Sequence, residues 1–140
     1  MQVQSLDHLN LTVSNLAESI DWYEKVFDFS VVERGQRDNG VSWAIIRSGE
    51  AMLCIYEDPS RAKPDRFLQD QRLRHVVYHW GLRILDREQW LKKVEDYNLE
   101  LEFGGEVHYA HSTSWYVSDP TGYSIEVVLW NNNEIHFDKA

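Results

Sequence analysis

The sequence predicts an α+β fold of two tandem βαβββ modules, which together form one curved mixed sheet with a concave trough. The first observation is an internal repeat. Two strand-like runs, at 6–13 and 77–84, carry His8 and His79, which are 71 positions apart in a chain of 140 residues. The second is that an amphipathic segment with helical spacing follows each run. The third is that three short runs rich in β-branched and aromatic residues follow each predicted helix.

The first module is predicted at about residues 4–57. Its helix begins after Ser14 and Asn15, which are favourable N-cap residues, and its apolar side chains recur at helical spacing: Leu16, Ile20, Tyr23 and Phe27. Three strands are predicted after the helix, at 29–33, 41–47 and 51–57, because turn-forming segments separate these runs.

The second module is predicted at about residues 74–131. Its helix begins after Asp86, with Gln89 three positions later as in a capping box. Its later strands are predicted at 100–109, 114–117 and 123–130, with a tight turn at 119–122. Residues 58–73 are predicted to be a linker, and 131–140 a loosely ordered or dimer-contacting end. The two modules are expected to form a single domain, because four strands cannot cover both faces of their own sheet.

Composition and charge exclude several classes of function. At 140 residues the chain can bury a core of ordinary size without disulfides or a structural metal. The formal net charge of −9 argues against a nucleic acid partner, and no apolar stretch approaches the roughly 18 residues of a membrane span. Cys54 has no second cysteine to pair with, and residues 1–8 lack the features of a secretory signal. A reducing, cytoplasmic setting is therefore expected.

Three ionisable residues are expected on the strand faces that point away from the helices. Alternation along the first strand turns His8 away from the apolar row that begins at Leu9, and His79 and Glu126 are turned the same way. Taken singly, such residues are more often hydrogen-bonded or surface groups. Their joint placement favours a divalent transition metal site with open positions, for which Fe(II) is the first candidate. Mn(II), Ni(II), Co(II) and Zn(II) accept the same ligands.

The chain also resembles a known superfamily, the vicinal oxygen chelate proteins. These include glyoxalase I, fosfomycin-resistance thiol transferases, bleomycin-resistance proteins, methylmalonyl-CoA epimerase and extradiol ring-cleaving dioxygenases. The resemblance runs from Leu6 to Trp130. It rests on LDHLNLTVSNL at 6–16, Trp22 and Tyr23 in the helix, Phe27, WYVSDPTG at 115–122, and Glu126.

The resemblance implies a metal site and an assembly. His8, His79 and Glu126 match the metal ligands of the superfamily, Fe(II) or Mn(II) is the favoured ion, and a homodimer is expected. Many members have a fourth ligand on the fourth strand. Matching Gly49 to Gly122 puts Leu53, which cannot bind metal, at that position. Glu57 lies on the same side of this strand, where a solvated strand end is the expected role.

Three ligands favour a ring-cleaving, extradiol-type dioxygenase that binds its substrate through adjacent oxygens. The alternatives are a glyoxalase-type lyase or isomerase, a fosfomycin-type thiol transferase, and a non-catalytic drug-binding protein of the bleomycin type. The net charge of −9 and the six tryptophans favour the drug-binding alternative. The partner in every case is a small molecule.

Further site residues are expected around the metal. Tyr116 matches a tyrosine that hydrogen-bonds the substrate oxygen in the resembling dioxygenases, although an aromatic residue there can equally belong to the core. His75 and His111 are candidates for an acid–base group. Three residues are candidates for substrate binding: Asn10, Arg83 as a cation for a carboxylate or phosphonate, and Trp130 as an apolar wall.

Overall fold

The computed structural model describes residues 1–60, 77 and 79–138. The chain divides into two compact units, Met1–Pro64 and Asp65–Ala140. In the described residues each unit holds a four-stranded mixed sheet and one main helix. The α+β class and the two-module organisation are therefore confirmed. Most of the predicted linker, and also His75, lie outside the described residues.

The first unit contains one helix and one mixed sheet. The strands run in the spatial order β1-β4-β3-β2, with β1 parallel to β4 and the other neighbours antiparallel. The bounds of the elements are Leu9–Val13 for β1, Leu16–Phe27 for α1, Ser30–Gln36 for β2, Ser42–Ser48 for β3 and Ala51–Glu57 for β4.

The helix of the first unit is capped as its sequence predicts. The Asn15 side chain accepts a hydrogen bond from the backbone N–H of Glu18 at 2.9 Å, which satisfies one of the free donors of the first turn. The helix ends at Asp28, whose left-handed backbone (φ 56°) cannot continue it. Tyr23 and Val26 are buried and attach the helix to the core of this unit.

The second unit repeats the plan, with the spatial order β5-β8-β7-β6 and β5 parallel to β8. Its helix begins at the predicted cap, where Asp86 accepts from the backbone N–H of Gln89 at 3.0 Å. The bounds are Trp80–Arg83 for β5, Arg87–Asp96 for α2, Val107–His108 for β6, Ser112–Ser118 for β7 and Ser124–Trp130 for β8, with short 3-10 turns at Glu102–Gly104 and Asn131–Asn133.

Alternation along the strands is confirmed in both units. Leu11 and Val13 of β1 are buried while Thr12 between them is partly exposed and Asn10 before them is exposed, and Ile125 and Val127 of β8 are fully buried on either side of a partly exposed Glu126. The apolar rows form the cores of the units. The polar positions are left on the opposite face of each sheet.

The predicted strand at 100–109 is wrong. Only Val107 and His108 pair with β7. Phe103, Gly104 and Gly105 have φ angles of 56°, 77° and 112°, which are incompatible with an extended strand. The apolar composition of the segment favoured a strand, but the two glycines adopt a turn that ends it.

The tight turn at 119–122 is confirmed and sets where β8 begins. One oxygen of the Asp119 carboxylate accepts from the backbone N–H groups of Thr121, Gly122 and Tyr123 at 2.9–3.0 Å. Gly122 has a φ of 101°, which a residue with a side chain rarely adopts. The turn thereby fixes the register of Glu126, four residues further on.

Leucine substitutions test the assignment of core and surface. Leu53 is 2% exposed and Leu85 is 65% exposed. Leu53→Ala is expected to lower the free energy of unfolding by about 2–5 kcal/mol, because it leaves a cavity, whereas Leu85→Ala should change it by less than about 0.5 kcal/mol. Urea denaturation of both variants is the measurement, and equal losses would contradict the assignment.

Candidate metal centre

A histidine and a glutamate from two adjacent strands of the second unit are in direct contact. His79 immediately precedes β5, and Glu126 lies in β8 opposite Gly81. The Nε2 atom of His79 donates to Oε2 of Glu126 at 2.9 Å, and both side chains are partly buried. The structure therefore brings together two of the three predicted ligands, although they are 47 positions apart.

The Glu126 carboxylate is held by a second contact. Ser114 of β7 donates its hydroxyl hydrogen to Oε1 of Glu126 at 2.7 Å. This contact fixes the orientation of the carboxylate and leaves Oε2 directed at His79. Outer hydrogen bonds of this kind commonly orient the carboxylate ligands of metal sites.

The separation of the two donor atoms fits a divalent transition metal. Metal–nitrogen and metal–oxygen bonds of about 2.0–2.2 Å place two ligands at right angles about 3 Å apart. The observed distance between Nε2 and Oε2 is 2.9 Å. An ion can therefore take the place of the shared proton without a large movement of either side chain.

The third predicted ligand, His8, belongs to the first unit. It directly precedes β1, and its side chain is 45% exposed. Its Nδ1 donates to the Asp7 carboxylate at 2.7 Å, so Nε2 is the ring nitrogen left for another ligand. A carboxylate on one imidazole nitrogen is the usual outer partner of a metal-binding histidine.

A cleft of about 730 Å³ lies over the His79–Glu126 pair. Its walls are largely aromatic and aliphatic, and they include Tyr109, Tyr116, Trp130, Ile135 and Phe137. Among the described residues that line it, Arg83 is the only arginine or lysine, and its Nη2 donates to the backbone carbonyl of Asn133 at 2.9 Å. The cleft suits an apolar or aromatic body that carries a few oxygens.

Tyr116 presents a phenol group to this cleft. It is buried, its ring lies edge-on to the His79 ring at 5.5 Å between centroids, and its hydroxyl shares a hydrogen bond with the Tyr109 hydroxyl at 2.8 Å. Burial raises the pKa of Tyr116, and the hydrogen bond to Tyr109 and the charge of Glu126 raise it further. Tyr116 is therefore a neutral phenol at neutral pH, which can donate a hydrogen bond.

The other predicted site residues are distributed between the units. His111, Arg83 and Trp130 line the cleft of the second unit. Asn10 lies exposed in β1 of the first unit, opposite Cys54. His75 lies outside the described residues.

The register of the strands corrects the comparison of the two modules. The turn between β3 and β4 has two residues, whereas the turn between β7 and β8 has five, so matching Gly49 to Gly122 shifts the modules by one position. When His8 is aligned with His79, Leu9 aligns with Trp80. Leu9 pairs with Leu53 and Trp80 pairs with Ile125, so Leu53 aligns with Ile125. Position 54, and not 53, therefore corresponds to Glu126.

The residue at the corrected position is a cysteine, Cys54. Burial raises the pKa of its thiol, and the nearby charge of Asp7 adds to this effect. Leu53 points instead into the core of the first unit. The first module thus has a thiol where the second has the carboxylate of Glu126.

Glu57 has a structural partner at the end of β4. Its Oε2 accepts from the backbone N–H of Leu16 at 2.8 Å. Leu16 is the first residue of α1, where free N–H groups and the helix dipole favour a negative charge. Glu57 therefore satisfies a free backbone N–H at the N-terminus of this helix.

Sequence reasoning missed the contribution of the C-terminal tail to the cleft. Residues 135–138 line it, and the Phe137 ring packs edge-on against Trp130 at 5.3 Å between centroids. The signal available in the sequence was the mixture of apolar and metal-binding side chains in Ile135-His136-Phe137-Asp138. The residues of this segment are exposed, so the prediction of a loosely ordered or dimer-contacting end stays a prediction.

Residues 5–127 match the profile of the Glyoxalase/Bleomycin resistance protein/Dioxygenase superfamily. The chain therefore belongs to this superfamily, which the fold and the His79–Glu126 pair had indicated. None of the helices in the described parts of the chain is long and apolar enough to cross a membrane.

Individual relatives show how far the similarity extends. The chain is 24% identical over 128 residues to the metallothiol transferase FosB of Bacillus licheniformis, an alignment that covers 90% of this chain and 75% of that protein. A glyoxylase/bleomycin resistance protein/dioxygenase domain from Frankia sp. EAN1pec has a TM-score of 0.76 at 17% identity, with 95% and 96% of the two chains covered. A FosX variant from Listeria monocytogenes, complexed with Mn(II) and 1S,2S-dihydroxypropylphosphonic acid, has a TM-score of 0.63 at 15% identity, with 90% and 92% covered.

Removal of the Glu57 side chain tests its structural role. Glu57→Ala is expected to lower the free energy of unfolding by about 1–2 kcal/mol, because the N–H of Leu16 loses a charged acceptor. The matched control is Glu50→Ala in the exposed β3–β4 turn, which should have little effect. Denaturation measures both, and a metal affinity that fell in Glu57→Ala with stability unchanged would contradict this role.

Proposed function

We propose that this protein is a metal-dependent enzyme that binds a small substrate through adjacent oxygens. The observation that carries the proposal is the 2.9 Å contact between His79 Nε2 and Glu126 Oε2 in the cleft of the second unit. Two histidines and one carboxylate leave coordination positions open for substrate, and this set favours Fe(II) or Mn(II). Zn(II), Ni(II) and Co(II) are accepted by the same donors.

The third ligand in the proposal is His8. Support comes from its repeat-related position, from the Asp7 carboxylate that holds its Nδ1, and from its partial exposure. It would come from the first unit of the same chain or of a second copy in a homodimer. The resemblance to the vicinal oxygen chelate proteins supports this choice, because it matches His8 to the first-strand ligand, and this position lies within the range that matches the superfamily.

The walls of the cleft support an aromatic substrate. Tyr109, Tyr116, Trp130 and Phe137 provide ring faces and edges for an apolar body, and Arg83 is the one fixed cation among the described residues that line the cleft. A catechol, which has an aromatic ring with two adjacent hydroxyls, combines these requirements. We therefore place the extradiol-type ring-cleaving dioxygenase first among the activities of the superfamily.

The chain's own residues have distinct tasks in this mechanism. Fe(II), when bound, would supply Lewis acidity and one-electron chemistry with dioxygen. His79 and Glu126 would hold the ion, and Ser114 keeps the Glu126 carboxylate in orientation. Tyr116 would donate a hydrogen bond to a substrate oxygen, and the aromatic walls would orient the ring. His75 and His111 are the proposed candidates for the acid–base group, and His111 bonds the Asp138 carboxylate through Nε2.

A second candidate function is thiol transfer of the fosfomycin type. The 24% identity to FosB over 90% of this chain favours it. The cleft argues against a strongly anionic phosphonate, because only Arg83 among the described lining residues offers a fixed positive charge. The two candidates share the metal site and differ in the need for dioxygen or for a thiol.

Histidine substitutions test the metal site. Mn(II) binding to the metal-free full chain is followed by the electron paramagnetic resonance of free Mn(II). His79→Ala and His8→Ala are each expected to weaken binding by at least about a hundredfold, since losing an outer partner alone costs 10- to 100-fold. The matched control is His108→Ala on β6, whose side chain is 70% exposed and does not line the cleft. Equal affinity in the His79 and His108 variants would refute the site.

Oxygen uptake tests the reaction. Protein loaded anaerobically with Fe(II) is expected to consume dioxygen with a catechol and to release a ring-opened product. Tyr116→Phe should slow this turnover about a hundredfold while Mn(II) affinity is kept, because the donor to the substrate is lost and the metal ligands remain.

Other outcomes would favour the alternatives. A thiol conjugate formed from an epoxide phosphonate, with no oxygen consumed, would support thiol transfer. Ligand binding that is indifferent to metal removal, with no turnover of any substrate, would support a drug-binding protein.

A further inference from the structure

A second group of metal-binding side chains lies outside the His79–Glu126 pair. One ligand atom each from His111, His136 and Asp138 lies within 4.8 Å of the others. His111 Nε2 donates to Asp138 Oδ1 at 2.9 Å, and the rings of His111 and His136 stand edge-on at 4.4 Å between centroids. The three residues also belong to the wall of the cleft.

The fold brings this group together through the return of the tail. His111 lies in the turn before β7, and its carbonyl accepts from the backbone N–H of Asn131, which directly follows β8, at 3.0 Å. This bond ties the first ligand to the start of the tail. The Arg83 bond to the Asn133 carbonyl holds the tail before His136, and the packing of Phe137 on Trp130 holds it between His136 and Asp138.

We propose that His111, His136 and Asp138 bind a second divalent metal ion of the late transition series, such as Zn²⁺, which fastens the C-terminal tail to the cleft wall. Two imidazoles and one carboxylate are a Zn²⁺ ligand set, and nitrogen donors bind Zn²⁺ more tightly than Mn²⁺ or Fe²⁺. Water completes the coordination shell, because His136 and Asp138 are exposed.

The geometry needs little adjustment to accept the ion. Bonds of about 2.0–2.2 Å place ligand atoms about 3–4 Å apart, and the three donors are all within 4.8 Å of one another. Two of the ligands lie on a tail whose side chains are exposed and can turn at low cost. The ion would replace the existing hydrogen bond between His111 Nε2 and Asp138, and the proton of the neutral imidazole would move to Nδ1.

The site has a consequence for the cleft. Ile135 and Phe137 alternate with the ligands along the tail and form part of the apolar wall. An ion that fixes His136 and Asp138 therefore also fixes these two side chains. The tail site is independent of the proposed catalytic centre, because the two sites share no ligand.

Zinc stoichiometry tests the proposal on the full chain. Metal-free protein is equilibrated with Zn²⁺ and analysed for bound metal in four forms: wild type, Glu126→Gln, His136→Ala and the double variant. We expect two ions per chain in wild type, one in each single variant and none in the double variant. Glu134→Gln, which removes a tail carboxylate outside the group, is the matched control and should keep two ions. Asp138→Asn provides a second variant in case His136→Ala fails to fold.

The outcomes separate this site from the proposed catalytic centre. One ion in wild type and in Glu126→Gln, lost in His136→Ala, would support the tail site and reject metal binding at Glu126. Equal zinc content in wild type, His136→Ala and Asp138→Asn would overturn the tail site.

Backbone amide exchange gives an independent readout. Zn²⁺ is expected to slow exchange in residues 131–138 at least about tenfold in wild type and in Glu126→Gln, because local opening must break the metal bonds. It should have no such effect in His136→Ala. Unchanged exchange in wild type at saturating Zn²⁺ would overturn the proposal.

Discussion

The parallel pairing of β5 with β8 is the constraint on which the candidate metal centre depends. The ladder sets Gly81 opposite Glu126, so His79, two residues earlier on the same face as Gly81, contacts the carboxylate. Because neighbouring side chains on a strand point to opposite faces, a slip of one residue would turn Glu126 into the core. The buried rows of Ile125 and Val127 resist such a slip. The burial of apolar side chains on one face thus holds the polar site on the other.

The two modules have the same strand ladder but have become chemically different. Cys54 and Ile45 are paired in the first module where Glu126 and Tyr116 are paired in the second. Trp43 lies two positions before Ile45 in β3, and Ser114 lies two positions before Tyr116 in β7. The first module therefore has a tryptophan where the second has the serine that orients the Glu126 carboxylate. The carboxylate, the phenol and the hydroxyl are therefore all features of the second module, whereas the first module carries Asn10 in β1 and His8 directly before it.

The cleft combines a small polar floor with a large apolar wall. His79, Glu126 and Ser114 form a network in which each contact orients the next, beside the aromatic rings of the cleft. Such an environment strengthens electrostatic interactions and lets a few polar groups determine how a substrate is oriented. The tail completes the wall through Ile135 and Phe137, so the last described residues of the chain belong to the site as much as the strands do.

Much of this could be read from the amino acids alone. The repeat, the helix caps, the period-two alternation and the turn at 119–122 are local patterns, and they determined the two modules and the outward orientation of His79 and Glu126. The predicted strand at 100–109 failed because two glycines outweighed its apolar composition. The equivalence of Leu53 and Glu126 failed because turn lengths differ between the modules. Only the tertiary structure decided which strands pair, that Ser114 holds Glu126, and that His136 and Asp138 return to His111. These contacts join residues far apart in the chain, and their formation depends on packing that no local pattern encodes.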